Sequence, residues 1–136
     1  MGYNDFFLSI NNNYILTNLD GLAKLTSVGL TLGISNNDAL TNLDGLTNLT
    51  SLGASLQIHR NASLANVDGL KGIASVGFLS IQVNDALTNL DGLANITSLG
   101  GLEISGTVLT NLDDFAHISS IGGTLFIKEN EALTNL

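Results

Sequence analysis

The chain repeats one short phrase, and this repetition limits the possible folds more than any other feature. Copies or close variants of ALTNLDGL occupy 15–22, 39–46, 63–70, 86–93 and 108–115. A last ALTNL begins at Ala132, and the second-position leucines follow one another at 24, 24, 23, 22 and 24 residues. Repetition at such a period is the signature of a solenoid, which grows by adding coils rather than by enlarging one core. We therefore expect residues 1–136 to form one solenoid of about six coils, with half-coils at both ends.

One part of each repeat reads L-x-I, an alternation typical of a short strand with two inward side chains. The pairs are Leu8/Ile10, Leu32/Ile34, Leu56/Ile58, Leu79/Ile81, Leu102/Ile104 and Leu125/Ile127. One strand per coil predicts a single parallel sheet with strands about 4.8 Å apart. Three residues after the isoleucine, five coils carry an asparagine whose amide can satisfy backbone groups where the chain leaves the sheet. These residues are Asn13, Asn37, Asn61, Asn84 and Asn130.

The other part of the repeat places an aliphatic residue at every third position, as in Leu40, Leu43, Leu46 and Leu49. Three residues advance an α-helix by about 300°, so this spacing drifts off any single helical face. A 3₁₀ or polyproline-like path has about three residues per turn and keeps these side chains inward. Glycines are expected at the corner that leads back to the next strand. They are Gly29, Gly53, Gly77, Gly100 and Gly122.

The fifth coil departs from the repeat. Ile104 and Leu109 are one residue closer than their counterparts, and Ser105-Gly106-Thr107 replaces the asparagine corner. Asp114-Phe115 stands where Gly-Leu is usual. A local irregularity is expected here, either as tolerated drift or as a binding feature.

The run LTNLDGLTNLTSLGASLQIHRNASL resembles a leucine-rich repeat, because it combines L-x-x-L-x-x-L-x-x-L with L-x-I-x-x-N-x-x-L. With its corner glycines it is similar to the receptor L domain family, known from the ectodomains of insulin and epidermal growth factor receptors and from many microbial surface proteins. The resemblance implies a β-rich, right-handed stack of coils with one parallel sheet and irregular 3₁₀ or polyproline-like sides. It also implies a non-enzymatic module whose sheet face contacts partners. The chain differs from the receptors in lacking cysteine and in its regularity.

Composition narrows the possible partners. The net charge is −8 with only four basic residues, which argues against binding to nucleic acid or to an anionic membrane surface. No apolar run is long enough to span a membrane, so no membrane insertion is expected. Polarity comes mainly from Asn, Thr and Ser, which favours an extracellular or cell-surface location.

Stacked coils turn each repeated residue into a ladder. In the aspartate ladder, neighbouring carboxylates about 5 Å apart repel by roughly 1 kcal/mol even in water. We expect each aspartate to cap the following turn by accepting backbone N–H groups. A string of calcium ions is the alternative, although each ion needs six to eight oxygen ligands. The ladder comprises Asp20, Asp44, Asp68, Asp91 and Asp113.

A second ladder has threonine beside asparagine in the L-T-N-L step. One of the two side chains is expected to point outward and the other to bond into the coil. A regular array of hydroxyls would be an ice-binding surface, but Ala65 interrupts it. The threonines are Thr17, Thr41, Thr88, Thr110 and Thr134.

Outward positions of the sheet are the best candidates for a binding face, because packing does not dictate them. Most are small, and the larger groups are Gln57, His59, Phe78, Glu103, Phe126 and Lys128. An ordinary solvated sheet face is the competing interpretation.

No catalytic or cofactor motif is apparent. His59 and His117 fall in different parts of their coils, cysteine is absent, and no G-x-S-x-G or G-x-G-x-x-G string occurs. His59 and Glu103 would lie two coils apart, about 10 Å by strand spacing, which is too far for a base and its orienting group. The sequence therefore predicts no enzyme and no cofactor.

The two ends suggest a second hypothesis, since a solenoid needs polar caps over its terminal coils. The sequence offers aliphatic and aromatic groups there instead, which predicts that copies stack end to end, as in an extracellular filament. The expected contact residues are Tyr3, Phe6, Phe7, Leu8, Leu125, Ile127, Leu133 and Leu136.

Overall fold

The computed structural model describes residues 7–136, so Tyr3 and Phe6 lie outside the described part of the chain. The strands are β1 (Leu8–Asn11), β2 (Ser27–Val28), β3 (Leu32–Ser35), β4 (Ser51–Leu52), β5 (Ser55–His59), β6 (Ser75–Gln82), β7 (Ser98–Ser105) and β8 (Leu125–Lys128). Six of them form a parallel sheet in the order β1-β3-β5-β6-β7-β8. Each strand is thus paired with its equivalents one repeat away, which is the arrangement of a β-rich solenoid.

The strand register follows the L-x-I pattern, with Leu32 opposite Leu56 and Ile34 opposite Ile58. These side chains form the inner face of the sheet and are completely buried. The prediction of a parallel sheet with inward leucine and isoleucine is confirmed.

A second, two-stranded sheet pairs β2 with β4, which the sequence analysis did not anticipate. In the next two coils, the residues equivalent to β2 and β4 are the first residues of the longer strands β6 and β7. Ser75 of β6 pairs there with Ser98 of β7. Gly77 and Gly100 therefore lie inside eight-residue strands rather than at sharp corners. The predicted glycine corner is wrong for these two coils, because their backbone stays extended through the glycine.

The leucine-rich side of the coil contains short 3₁₀ helices, as the three-residue spacing predicts. They are Asp20–Leu22, Asp44–Leu46, Asp68–Leu70, Asp91–Leu93 and Asp113–Phe115. Leu40, Leu43, Leu46 and Leu49 are all completely buried along one such side. The leucines of successive coils form one continuous core with the sheet's inner face.

Glycine allows the 3₁₀ helices of successive coils to stack in close contact. A Cβ atom on Gly69 would lie 1.8 Å from the carbonyl oxygen of Leu43 in the preceding coil. The values are 1.9 Å at Gly45 and at Gly92, also to a carbonyl oxygen of the preceding coil. The D-G-L phrase therefore encodes a coil-to-coil contact as well as a turn.

The first four asparagines at the strand exits, Asn13, Asn37, Asn61 and Asn84, form a hydrogen-bonded column. Asn61 donates from Nδ2 to the carbonyl oxygen of Ile34 at 3.0 Å and to Oδ1 of Asn84 at 3.2 Å. Its own Oδ1 accepts from the backbone N–H and the Nδ2 of Asn37, each at 3.2 Å. Asn37, Asn61 and Asn84 are completely buried. The predicted role of this asparagine at the corner is confirmed.

The fifth coil is irregular at both predicted places. Thr107 takes the corner position and donates from its backbone N–H and its hydroxyl to Oδ1 of Asn130, at 3.0 and 2.8 Å. On the other side, Asp114 occupies the position of the stacking glycine. Its Oδ2 accepts the backbone N–H of Leu90 at 3.2 Å, and the fifth 3₁₀ helix has only sparse contact with the fourth.

The residue before each corner has a left-handed backbone. The φ angles are 59° at Asn12, 54° at Asn36, 53° at Arg60, 52° at Val83, 59° at Gly106 and 57° at Glu129. Asparagine and glycine adopt this conformation readily, whereas a β-branched residue is strained in it.

We expect Val83→Asn to stabilise the protein by about 1 kcal/mol, because it relieves this strain. The side chain of Val83 is already 39% exposed, so little packing is lost. Urea unfolding measures the effect, and Asn36→Val at the equivalent corner is the matched control, with a loss of similar size. An unchanged or lower stability of Val83→Asn would contradict the strain argument.

Stability is also expected to depend on the charge of Asp114. Desolvation raises the pKa of Asp114 above its ordinary value, and the neighbouring Asp91 and Asp113 act in the same direction, while the hydrogen bond from Leu90 opposes them. A raised pKa in the folded state means that stability falls as pH rises through that pKa. Asp114→Asn should therefore be the more stable protein at pH 7, by less than about 1 kcal/mol because the carboxyl group is only partly buried and solvent still screens its charge.

Thermal unfolding of both proteins between pH 3 and pH 7 tests this expectation. The difference in Tm should shrink as the pH falls toward the ordinary pKa of aspartate, about 3.9, because both side chains are then neutral. A difference that is constant with pH would show that the charge of Asp114 has no part in it.

Candidate functional site

The outer face of the six-stranded sheet carries three side-chain columns, because alternate strand residues point away from the core. The middle column is Ser9, Gly33, Gln57, Ser80, Glu103 and Phe126. Beside it runs Asn11, Ser35, His59, Gln82, Ser105 and Lys128. The third column contains Ser55, Phe78 and Gly101. All six predicted binding residues lie on this face.

A groove lies in the part of the outer face that is formed by β1, β3 and β5. Its volume is about 300 Å³, and its floor includes Gly33 and Ile34. A Cβ atom built on Gly33 would have nothing within 4 Å, so the missing side chain leaves open space. Phe7, which is 64% exposed, lines the groove, as do Gln57 and His59.

The middle of the face holds a small polar network. Gln82 donates from Nε2 to the Ser80 hydroxyl at 3.1 Å, and the same hydroxyl lies 2.8 Å from Nε2 of His59. Burial lowers the pKa of His59 below its ordinary value, with Arg60 adding to the effect and Glu103 opposing it. His59 is therefore neutral at pH 7. In that state Ser80 can donate to Nε2, which leaves Nδ1–H as the donor of the ring.

Serine beside histidine suggests a nucleophile and its base, but this pair lacks access to a substrate. Ser80 is only 2% exposed, and its hydroxyl already engages Gln82 and His59. A nucleophile has to reach the reacting atom of a bound substrate. The contact therefore fixes the orientation of His59 on the face.

The far part of the face, on β6, β7 and β8, carries two aromatic rings and an ion pair. The ring of Phe78 lies over Gly101, where a Cβ atom would be 2.7 Å from Cδ2 of the ring. Lys128 and Glu103 form an ion pair at 3.7 Å between Nζ and Oε1. Phe126, beside Glu103 in the sheet register, is 56% exposed.

The structure thus joins two of the predicted residues as an ion pair, Glu103 and Lys128. His59 is joined instead to Ser80, which was not among the predicted residues. The sequence marks Gly33 as a small outward residue but does not predict a groove there, and it assigns Phe7 to the end contact rather than to this face. The available signal was a glycine at an outward strand position, where a side chain is normally present.

The aspartate ladder does not cap the turns, and that prediction is wrong. Within residues 7–136, none of the five 3₁₀ helices has a side-chain cap. The asparagine two residues earlier makes the Asx turn instead: Oδ1 of Asn42 accepts the backbone N–H of Asp44 at 3.0 Å, and the other coils repeat the bond. The carboxylates of Asp20, Asp44, Asp91 and Asp113 are on residues exposed to solvent, and Asp68 pairs with Lys71 at 3.5 Å.

No group of three or more His, Asp or Glu side chains among residues 7–136 is placed to hold a metal ion. In the L-T-N-L step the threonines are exposed, while the neighbouring asparagines make the Asx turns. One side chain of each pair thus points outward and the other bonds into the coil, as expected.

The predicted end residues are partly covered. Leu8, Ile127 and Leu133 pack against the core, while Leu125 and Leu136 are 53% and 81% exposed. Phe7 is shared between the end of the solenoid and the groove on the sheet face.

No helix in the described residues is long and apolar enough to cross a membrane. In comparisons with known proteins, no family model matches the chain and no curated protein matches it.

Proposed function

We propose that the chain is a non-enzymatic scaffold of the leucine-rich-repeat, receptor L domain type, and that it binds a partner through the outer face of its sheet. The proposal places it outside the cell or at the cell surface. Support for the repeat type comes from the L-x-I strands, the leucine at every third position and the asparagine corner. Support for the location comes from the acidic, Asn-, Thr- and Ser-rich surface.

The observation that carries the proposal is the contrast between the two sides of the sheet. The inner side chains are fixed by packing, whereas the outer ones vary from glycine to phenylalanine along a single column. A repeated scaffold with one variable, partly concave face is the usual form of a binding solenoid. The groove at Gly33 and the exposed ring of Phe126 give this face both a recess and an apolar anchor.

An array of extracellular protein domains, probed with the labelled chain, tests the proposal. The face variant Gln57→Arg/Phe126→Arg should lose the proteins that the wild type binds, because two long cations would obstruct the contact. Thr41→Arg/Thr88→Arg adds the same charge on exposed threonines of the other side and should keep them. Equal binding by the wild type and both variants would place recognition elsewhere on the chain. No binding by any of the three would count against a protein partner.

End-to-end assembly is a second candidate, favoured by a different observation. Within the described chain, β1 and β8 each pair on one side only, and Leu125 and Leu136 are exposed beside β8. In this second proposal, the first coil of another copy packs against this surface.

Sedimentation velocity over a hundredfold range of concentration (about 1–100 μM, the scale of weak self-association) tests the assembly. The wild type should form larger species as concentration rises, and Leu136→Asp should remain a monomer. Thr17→Asp, with the same new charge on an exposed threonine, should behave as the wild type. A wild-type monomer at every concentration would refute the assembly.

A further inference from the structure

We propose that the groove at Gly33 is a binding site for a neutral carbohydrate, one or two sugar rings in size. The inference rests on the proposed function, since it names a ligand class for the same sheet face.

The shape of the groove suits a small ligand. Gly33 lies between Ser9 and Gln57 in the sheet register, so one missing side chain in a column of three creates the recess. At about 300 Å³ the groove is at the lower end of the sizes found for small-molecule sites. It lies on the face of the sheet rather than along an edge, so a peptide could not add to it as another strand.

Within residues 7–136, no charged residue lines the groove, although the chain has 16 of them. His59 also contributes no charge at pH 7, because burial lowers its pKa. A phosphate, a carboxylate or an amine would lose its hydration without gaining an opposite charge. Electrostatics therefore favour an uncharged ligand.

The polar groups around the groove both donate and accept hydrogen bonds, as sugar hydroxyls do. Oδ1 of Asn11 accepts from the Ser35 hydroxyl at 2.8 Å, and Nδ2 of Asn11 donates to Ser9, so this amide is held in place. Within residues 7–136 the Gln57 amide has no hydrogen-bond partner in the protein. It is therefore available to a ligand, to which it offers two N–H donors and one carbonyl oxygen as acceptor.

An aromatic ring completes the site. Phe7 lines the groove and is 64% exposed, which is unusual for a side chain of this type. The C–H face of a pyranose is apolar and can cover such a ring while the hydroxyl groups at its edge reach Asn11 and Gln57. One apolar platform with a few oriented polar groups is the general form of a small-molecule site.

Titration of the full chain followed by two-dimensional NMR tests the inference. The probes are D-glucose, D-galactose, D-mannose, N-acetyl-D-glucosamine and their β-linked disaccharides, with D-glucuronate as the charged comparison. We expect at least one neutral sugar to shift the Gly33 backbone amide and the Gln57 side-chain amide saturably, with Kd of about 1 mM, as for a small open site. Glucuronate should bind at least about tenfold more weakly.

Two variants show whether the groove is the site. Gly33→Val fills the recess, and the open space there together with the strand preference of valine should preserve the fold. It should weaken sugar binding at least about tenfold. Phe7→Ala should also weaken binding, whereas Gly21→Val, at another glycine with nothing within 4 Å, should change it by less than about twofold.

The outcomes separate this inference from the proposed function. Sugar binding that Gly33→Val leaves unchanged would overturn the site, and equal binding of glucuronate would overturn the argument from charge. If no neutral sugar binds while the face variant still loses protein partners on the array, the carbohydrate inference fails and the scaffold function stands. If neither probe binds the face, both fail.

Discussion

Gly69→Ala is expected to destabilise the protein by about 4 kcal/mol or more, a large effect for the addition of one methyl group. The new Cβ atom would lie 1.8 Å from the carbonyl oxygen of Leu43, and 2.4 Å from the carbonyl carbon. Both atoms belong to backbone, so no side chain can rotate away. The two coils would have to separate along the 3₁₀ side, which exposes leucines that are completely buried in the native stack.

Gly21→Ala is the matched control, because Gly21 has the same place in its own D-G-L phrase but nothing within 4 Å. This variant should be neutral, or more stable by about 0.5 kcal/mol through the lower entropy of its unfolded chain. Chemical denaturation of the two variants measures the difference. Similar stabilities would show that the glycine serves the turn itself rather than the contact between coils.

The fifth coil supports this reasoning within the native chain. Asp114 stands where Gly69 stands in its coil, and there the 3₁₀ helix has only sparse contact with its neighbour. The Asp114 carboxylate occupies the gap and accepts the backbone N–H of Leu90. A side chain at this position is therefore accommodated by opening the stack, which the central coils cannot do on both sides at once.

Asn61→Ala is expected to cost about 4 kcal/mol and to lower Tm by about 10 °C. The substitution leaves the carbonyl oxygen of Ile34 and the backbone N–H of Asn37 without their partners. Both groups are buried, and each unsatisfied group costs about 1–3 kcal/mol. Thermal and urea unfolding measure the loss.

Asn61→Asp separates hydrogen bonding from shape, because the two side chains are nearly the same size. The aspartate cannot donate to Ile34 or to Asn84, and it places a charge in a completely buried site. It should be at least as unstable as the alanine variant at pH 7. Asn18→Asp keeps an exposed acceptor for the backbone N–H of Asp20 and should cost less than about 1 kcal/mol. Equal losses at the two positions would refute the role given to the buried column.

The sequence predicts most of the scaffold because each element has its own periodicity. Alternate residues specify the strands, every third residue specifies the 3₁₀ side, and the buried asparagine specifies the exit from the sheet. The merging of strand segments in β6 and β7 was not predictable, since it depends on how far the backbone stays extended through Gly77 and Gly100.

The error over the aspartate ladder has a local cause. Asparagine and aspartate are both able to make an Asx turn, and N-L-D-G contains one of each. The side chain that closes the turn is the one two residues before the N–H it accepts, which here selects Asn42 for Asp44. Asp44 is likewise two residues before the N–H of Leu46, but that N–H already donates to the carbonyl oxygen of Leu43 within the 3₁₀ turn.

The candidate site was only partly predictable. The outward positions follow from alternation, and the strand register has Gln57, His59 and Glu103 on one face of the sheet. The contact between His59 and Ser80 depends on the register between two coils and on rotamers that no pattern encodes. The groove depends on a side chain that is missing at Gly33, and the pattern marks this position as small without showing that its neighbours leave a recess.

The asparagine column also bears on how a chain of this kind can change length. Each corner amide bonds to corners one repeat away, and Asn37 and Asn61 are separated by 24 residues. Removal of residues 37–60 would join two equivalent positions and leave every remaining amide with neighbours of the same kind. The stack of coils would become shorter by one strand spacing, about 4.8 Å. Duplication or deletion of whole repeats in the gene can thus change the length of the molecule without any change in the packing of its core.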